Sequence, residues 1–346
     1  MMKKAGSDFD LAYRLVHGRR RATPARWRRA HKLWLSAAKA GHVRAQFYLG
    51  TCYDFGQGVR RNCRTAMKWY RRAAESGHTV AQYNLGFGYR EGEGVRKDAR
   101  KAFLWLSKAA EAGDPGGQRD LGYCYHEGVG VRKDFRKAAY WYRKAAGAGD
   151  TKAQLNLGLC CRHGHGVAKN HSTMVRWFSK AAQGGSPSAQ NELGVAYEQG
   201  TGVARDMKLS VRWYLRAAKV GNEMAQRNLS RCYAKGEGVQ KNLKRAVFWM
   251  KRSAGQGHVA AEAGLGWHYH EGKGVPVDFK KAVYWYRRAA AKGDVNAQYN
   301  LGLCYLDGEG VKKCLKMARF WLLKSRRSGH RRAARALKAL AEKKQT

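Results

Sequence analysis

Carboxylates are scarce in this chain of 346 residues: 25 Asp and Glu stand against 68 Lys and Arg, for a formal net charge of +43. No pair of carboxylates recurs, and no Ser-His-Asp or Cys-His arrangement stands out, so the residues offer no grounds for catalysis or for a resident cofactor. Runs of about 18 apolar residues are absent, which speaks against a membrane span. The opening MMKKAGSDFD lacks the apolar core of a signal peptide. A soluble, intracellular, cytoplasmic protein is the expectation. Linkers and low-complexity stretches are missing as well.

What is there instead is repetition. GEGVRKDARKAFLWLSKAAEAGD at 92–114 returns as GVGVRKDFRKAAYWYRKAAGAGD at 128–150. Trp69, Trp105, Trp141, Trp177, Trp213, Trp249, Trp285 and Trp321 stand 36 residues apart without insertion or deletion. A fixed period of that size marks a stacked array of small units. The register gives eight units: 43–78, 79–114, 115–150, 151–186, 187–222, 223–258, 259–294 and 295–330. Residues 1–42 read as a basic N-terminal cap with a half-repeat at 22–42, and 331–346 as a basic C-terminal capping helix. Such atypical ends are what an array needs to stop.

Within a unit the apolar spacing is helical. Ala66, Trp69, Tyr70, Ala73 and Ala74 make one stripe of a helix B, about 61–76. Asn62, Asp98, Asp134, Asn170, Asp206, Asn242 and Asp278 stand at its start as N-caps. Gly77 and its seven equivalents stand at its end, where a left-handed residue is needed. The first half, helix A at about 44–55, buries Ala45, Leu49 and Tyr53. Gly50 recurs mid-helix in six other units, a choice costing about 1 kcal/mol relative to Ala, so a neighbouring helix must come close there. The predicted fold is all-α: a right-handed α-solenoid of antiparallel helix pairs with a 36-residue repeat, its periodic tryptophans buried between neighbours.

The string A-x-A-Q-x-N-L-G-x-x-Y-x-x-G-x-G-V-x-x-D-x-x-K-A-x-x-W-Y-x-K-A-A-x-x-G, nearly whole at 79–113 and 151–185, resembles the Sel-one-like repeat family, relatives of the tetratricopeptide repeats. The resemblance covers 43–330 and implies an adaptor that shows a concave surface to protein or peptide partners, without chemistry of its own. Departures are local: Cys161 replaces the usual Tyr, Ser230 the usual Gly, Glu262 the usual Gln, and Cys314 the helix B cap. The family also has a secreted branch cross-linked by disulfides near the helix B end. That arrangement is missing here, so reduced thiols are expected.

Three features invite a sharper chemistry. The Gly-x-Gly-Val turn with basic residues, as in Gly94-Val95-Arg96-Lys97, has the look of a phosphate loop, but a helix precedes it and the Asp or Asn cap already takes the free amides. Cys52, Cys124, Cys160, Cys232 and Cys304 form one column of helix A and read as small core residues, although Cys52 with Cys63, and Cys304 with Cys314, could meet across their own turns. Cys160, Cys161, His163, His165 and His171 offer a candidate metal set, but only part of the usual paired spacing is present. A solvated His-bearing turn is the preferred reading of that cluster.

Charge and exposure then locate candidate surfaces. Arg61, Arg64, Lys68 and Arg72 share the outer face of helix B and make the convex side basic. Positions 44, 47, 48, 51 and 55 and their equivalents form a second stripe on helix A, expected to line the concave groove. The groove would carry Phe47, Tyr83, Phe87, Tyr123, Trp267 and Tyr299, with Arg119 and Arg227, and a column of Asn84, Asn156, Asn228 and Asn300 able to grip peptide backbone. Two functions follow. The favoured one is a non-catalytic scaffold for a protein or peptide, acidic in character. The alternative is a nucleic-acid-associated protein whose Arg19, Arg20, Arg21, Arg26, Arg28 and Arg29 and helix B stripe meet phosphates.

Overall fold

A computed structural model describes residues 2–18 and 22–342. Every regular element among them is an α-helix. The chain opens with α1 (Met2–His17) and α2 (Pro24–Lys39). Four units then supply α3 (Val43–Phe55) and α4 (Cys63–Glu75), α5 (Thr79–Glu91) and α6 (Ala99–Glu111), α7 (Pro115–Glu127) and α8 (Phe135–Gly147), α9 (Thr151–His163) and α10 (His171–Gln183). Four more supply α11 (Pro187–Gln199) and α12 (Met207–Lys219), α13 (Glu223–Lys235) and α14 (Leu243–Gly255), α15 (Val259–Glu271) and α16 (Phe279–Ala291), α17 (Val295–Asp307) and α18 (Leu315–Arg327). A last helix, α19 (Arg331–Glu342), follows. The backbone groups into two compact units, one ending at Trp177 and the other beginning at Phe178. No helix among the described residues is long and apolar enough to cross a membrane.

Helix ends follow from local chemistry. Asn62, Asp98, Asp134, Asn170, Asp206, Asn242 and Asp278 each accept, through a side-chain oxygen, the amide three residues on, at 2.8–3.0 Å. Cys314 makes no such bond. A lost side-chain cap is worth about 1 kcal/mol. The glycines that close helix B are all left-handed, as at Gly77 (φ 86°) and Gly329 (φ 90°).

Packing uses the two glycine columns. A Cβ on Gly50 would lie 2.6 Å from the Tyr70 ring, so helix A and helix B of one unit press together at that point. In the turn, a Cβ on Gly94 would lie 2.3 Å from the Cys63 carbonyl oxygen. The turn glycine is therefore a seat for the start of the previous helix B. Successive units are also tied by a buried glutamine: Gln82 donates from Nε2 to the Ala74 carbonyl at 3.2 Å, and Gln226 to Ala218 at 3.1 Å.

One expectation needs correcting. The periodic tryptophans are not buried between neighbours: only Trp249 is buried, and the others are half-buried. The residue after each takes the core, as with fully buried Tyr70, Leu106, Tyr214 and Tyr286. Trp69 lies at the stripe's edge, and the cation three residues on, one helical turn away, roofs its ring. Arg72 sits over Trp69 at 4.6 Å, Lys108 over Trp105 at 4.5 Å, Arg216 over Trp213 at 4.7 Å and Lys324 over Trp321 at 5.3 Å. The basic residue that ends helix B thus covers apolar surface. Ahead of the half-repeat, residues 2–17 form α1, which buries Ala5, Phe9, Ala12 and Val16 in one core with Ala30, Trp34 and Ala37 of α2.

Candidate functional site

The helix A stripe lines two cavities, one in each compact unit. In the first unit a cavity of about 300 Å³ is bounded by Phe55 of α3, by Met67 and Tyr70 of α4, and by Tyr83, Asn84 and Phe87 of α5. Its ionic groups are mixed: Asp54 and Glu93 stand with Arg61. Tyr70 donates its hydroxyl to Asp54 Oδ2 at 3.2 Å, and Asn84 faces the same hydroxyl.

The second cavity, about 570 Å³, lies among α13, α14 and α15. Arg227, Arg231 and Lys235 come from the α13 stripe, and Ala260, Gly264 and Trp267 from the α15 stripe. Lys241 and Lys273 are added from turns, Met250 and Leu243 from α14, and no carboxylate lines it. The space has a cause in the sequence. Gly264 occupies the register that holds Tyr48, Asp120, Glu192 or Asn in other units, and Ser230 with Met250 replaces the pair of Gly with Tyr, Leu or Phe. The Ser230 hydroxyl donates to the Ala246 carbonyl at 2.7 Å. Lys273 Nζ lies 4.3 Å from the Trp267 ring centre, and His268 Nδ1 is 2.7 Å from the Lys273 carbonyl oxygen. Burial holds the His268 imidazole below the usual histidine range.

Several predicted groove residues are taken up by internal contacts. Arg119 bonds to Asp120 at 2.7 Å, to Asp150 at 2.9 Å and to the Tyr83 hydroxyl at 3.1 Å. Phe47 stacks on His78 at 4.4 Å, and Tyr299 on His330 at 4.3 Å, in both cases the residue just before the next helix. Asn228 donates to Asn191 at 3.1 Å, and Asn300 faces the Tyr286 hydroxyl. Asn156 is half-buried, and Tyr123 and Trp267 are exposed. Arg231 and Lys235 are the equivalents of positions 51 and 55 in the expected stripe, though the sequence singled out only Arg227 there, whereas Lys241 and Lys273 sit in turns that no helical period reaches.

Of the nucleic-acid candidates, Arg19, Arg20 and Arg21 lie outside the described residues, Arg26 is half-buried, and Arg28 and Arg29 are exposed on α2. The metal candidates do not converge. Cys160 and Cys161 are buried in the core, and His163 and His165 form a ring cluster with His126 and Phe135. His171 opens α10. Among the described residues, three His, Cys, Asp or Glu ligand atoms come within 4.8 Å of one another elsewhere, at His270, Cys304 and Glu309. All eight cysteines are free. Burial raises the Cys52 and Cys304 thiols to about 12 and those of Cys124, Cys160 and Cys232 to about 11, so they are inert core groups when nothing is bound.

Stacked helix pairs on a 36-residue register define a helical-repeat, α-solenoid protein. The Sel1 repeat family model matches nine consecutive segments, 8–42, 43–78, 79–114, 115–150, 151–186, 187–222, 223–258, 259–294 and 295–330, and the chain belongs to that family. The match takes in 8–42, where α1 and α2 pair ahead of the eight regular units. A Sel1 repeat protein from Oxalobacter formigenes is 34% identical over 89% of this chain and 90% of its own, with a TM-score of 0.70. A protective antigen of uropathogenic Escherichia coli strains that displays an SLR fold is 34% identical over 93% of this chain and 76% of its own, with a TM-score of 0.59. Among curated proteins, none matches the chain.

Proposed function

We propose that this chain is a non-catalytic binding scaffold whose main docking site is the cavity among α13, α14 and α15, and that its partner presents an acidic protein or peptide segment. The observation that carries this reading is the cavity lining: Arg227, Arg231, Lys235, Lys241 and Lys273 beside Trp267, with no carboxylate among them. A cationic cavity favours carboxylates by charge-assisted hydrogen bonds, and an aromatic wall adds apolar area for a neighbouring side chain. The unit that supplies most of these cations, 223–258, has eight Lys and Arg against Glu223 and Glu237. The free, core-buried thiols support an intracellular setting. Against nucleic acid as the main ligand, indoles such as Trp69 and Trp105 are already roofed by Arg72 and Lys108, so they are poor platforms for stacking bases.

The test is fluorescence anisotropy at physiological salt with a labelled Glu/Asp-rich peptide carrying one aromatic residue, beside a single-stranded oligonucleotide of equal charge. Arg227→Glu with Lys235→Glu should weaken the peptide by about 100-fold, the loss expected when two charge-assisted contacts become repulsive. Arg28→Glu with Arg29→Glu should leave it within about twofold, a change below 0.5 kcal/mol. Oligonucleotide binding that exceeds the peptide's, and that falls with Arg28 and Arg29 but not with Arg227 and Lys235, would replace this reading by the nucleic-acid one.

A further inference from the structure

We propose that His270, Cys304 and Glu309 form a binding site for a divalent transition-metal cation of the zinc class. One imidazole nitrogen, one thiol sulfur and one carboxylate oxygen lie within 4.8 Å of one another. A tetrahedral ion with bonds of about 2.0–2.3 Å brings such atoms to about 3.5 Å apart, a closure that side-chain rotation supplies. Two of the ligands are set by one turn. Cys304 lies in α17 near its end, Gly308 turns left-handed (φ 83°), and the Glu309 amide donates back to the Cys304 carbonyl at 3.0 Å. This reversal returns the Glu309 side chain to the cysteine. The third ligand reaches across from the last turn of α15.

The histidine carries the independent observation. Its Nδ1 lies 3.1 Å from Glu271 Oε1 and its Nε2 lies 2.9 Å from Glu309 Oε2. A neutral imidazole has one N–H for these two carboxylates. In the neutral ring, with Nδ1–H donated to Glu271, the Nε2 lone pair and Glu309 face each other as two acceptors, a conflict that either a proton on Nε2 or a metal cation between them resolves. That is the carboxylate–histidine–metal arrangement, in which the outer carboxylate sets the tautomer and aims the ring. Phe279, edge-on at 5.4 Å, and Tyr286, at 6.4 Å, hold the imidazole plane.

Register separates this site from the other cysteines of the column. Cys124 has Arg90 at the place of the histidine, and Cys232 has Glu198, which is bound to Arg231 and Tyr214. His126, Cys160 and His165 repeat the register in the first unit, but there the two histidine rings pack on each other at 5.5 Å and do not close on the sulfur. A mixed S, N, O set suits zinc and its neighbours and excludes calcium and magnesium, which take oxygen ligands. Binding is not a redox step: the Cys304 thiol releases its proton to solvent, Glu309 enters ionised, and His270 enters neutral through Nε2. The two anionic ligands balance the dication, and water takes the fourth position.

Cobalt(II) is the probe, added to the untagged, reduced full-length protein. The expected result is one equivalent bound, with a thiolate-to-cobalt charge-transfer band in the near ultraviolet and the intense visible bands of a tetrahedral ion, displaced by zinc. Cys304→Ser should abolish the charge-transfer band. Half-exposed His270→Ala should weaken binding at least about tenfold while the circular dichroism stays helical, and Glu271→Gln should weaken it about tenfold, the usual cost of an outer partner. Cys160→Ser should change nothing. Absence of the band in the parent protein, or its persistence in Cys304→Ser, overturns the proposal.

Discussion

Around Tyr83 and Phe87 the cavity walls carry Asp54 and Glu93 beside Arg61, whereas around Arg227 and Trp267 every ionic lining group is a cation. Both cavities use the same helix A register, so the backbone repeat alone does not make them different. The packing beneath them does. At the first, Gly50 lets the Tyr70 ring seat against α3 and hand its hydroxyl to Asp54. At the second, Ser230 and Met250 stand where Gly and Tyr, Leu or Phe stand elsewhere, and Gly264 leaves the floor open. The repeat supplies a uniform frame, and a few departures turn one stretch of it into a distinct surface.

The sharpest way to break that contrast is to put the same methyl group on both sides. Gly50→Ala drives a Cβ to 2.6 Å from a buried aromatic ring and should cost about 1–3 kcal/mol in thermal unfolding. Gly264→Ala meets only the Met250 terminus, at 3.1 Å, and that thioether can swing away. It should be neutral or stabilise by up to about 1 kcal/mol, since Ala is the better helix former. Equal losses for the two variants would show that the second cavity is packed as tightly as the first.

A smaller effect is expected at the buried carboxylate beside the cationic cavity. Glu262 is fully buried and accepts from Arg288 Nε and Lys292 Nζ, both at 2.9 Å, where other units place a glutamine bonded to a helix-end carbonyl. Glu262→Gln restores the pattern and should change stability by less than about 1 kcal/mol, because the attraction lost and the desolvation relieved nearly offset. It should also flatten the salt dependence of melting. A large loss would mean that the ion pairs, not the repeat geometry, hold these units together.

The smallest expected effect is a pH response. His268 titrates lower in the folded chain than in the unfolded one, because burial disfavours the imidazolium and Lys273 adds a like charge. Below the ordinary histidine value the unfolded chain therefore binds more protons, and stability is complete above that value and is lost as pH falls toward the folded one. Melting followed from pH 8 down to about 5, a span that brackets the ordinary value of 6.5, should show this limb, and His268→Asn should reduce it. An unchanged limb would assign it to the other histidines held below the ordinary value, His31, His78, His165, His258 and His330.

How far the chain could be read in advance depended on the range of each interaction. The caps at Asn62 and Asp98 act on amides three residues away, so their spacing was enough. The glycine column announced a close approach, but which ring would fill it is written 20 residues later, at Tyr70. Trp69 misled, because a stripe's centre can be counted from a period while its edge depends on what the neighbouring unit covers. Arg119 looked available for a partner, yet Asp150, 31 residues on, shares its guanidinium. The helix at 2–17 departs from the 36-residue string of the eight regular units, although Ala5, Phe9, Ala12 and Val16 hold the spacing of one helical face.

By itself, the amino-acid sequence determined the period, the helix pairs, their caps and their glycine ends, because each rests on contacts within a few residues of chain or on strict repetition. Tertiary structure alone decided that α13 and two turns bring five cations around one cavity, that Glu262 is neutralised by Arg288 and Lys292, and that His270 meets Cys304 and Glu309. These contacts join residues 26 to 46 apart in the chain, and only the packing of helix on helix, within a unit or from one unit to the next, sets the distance between them.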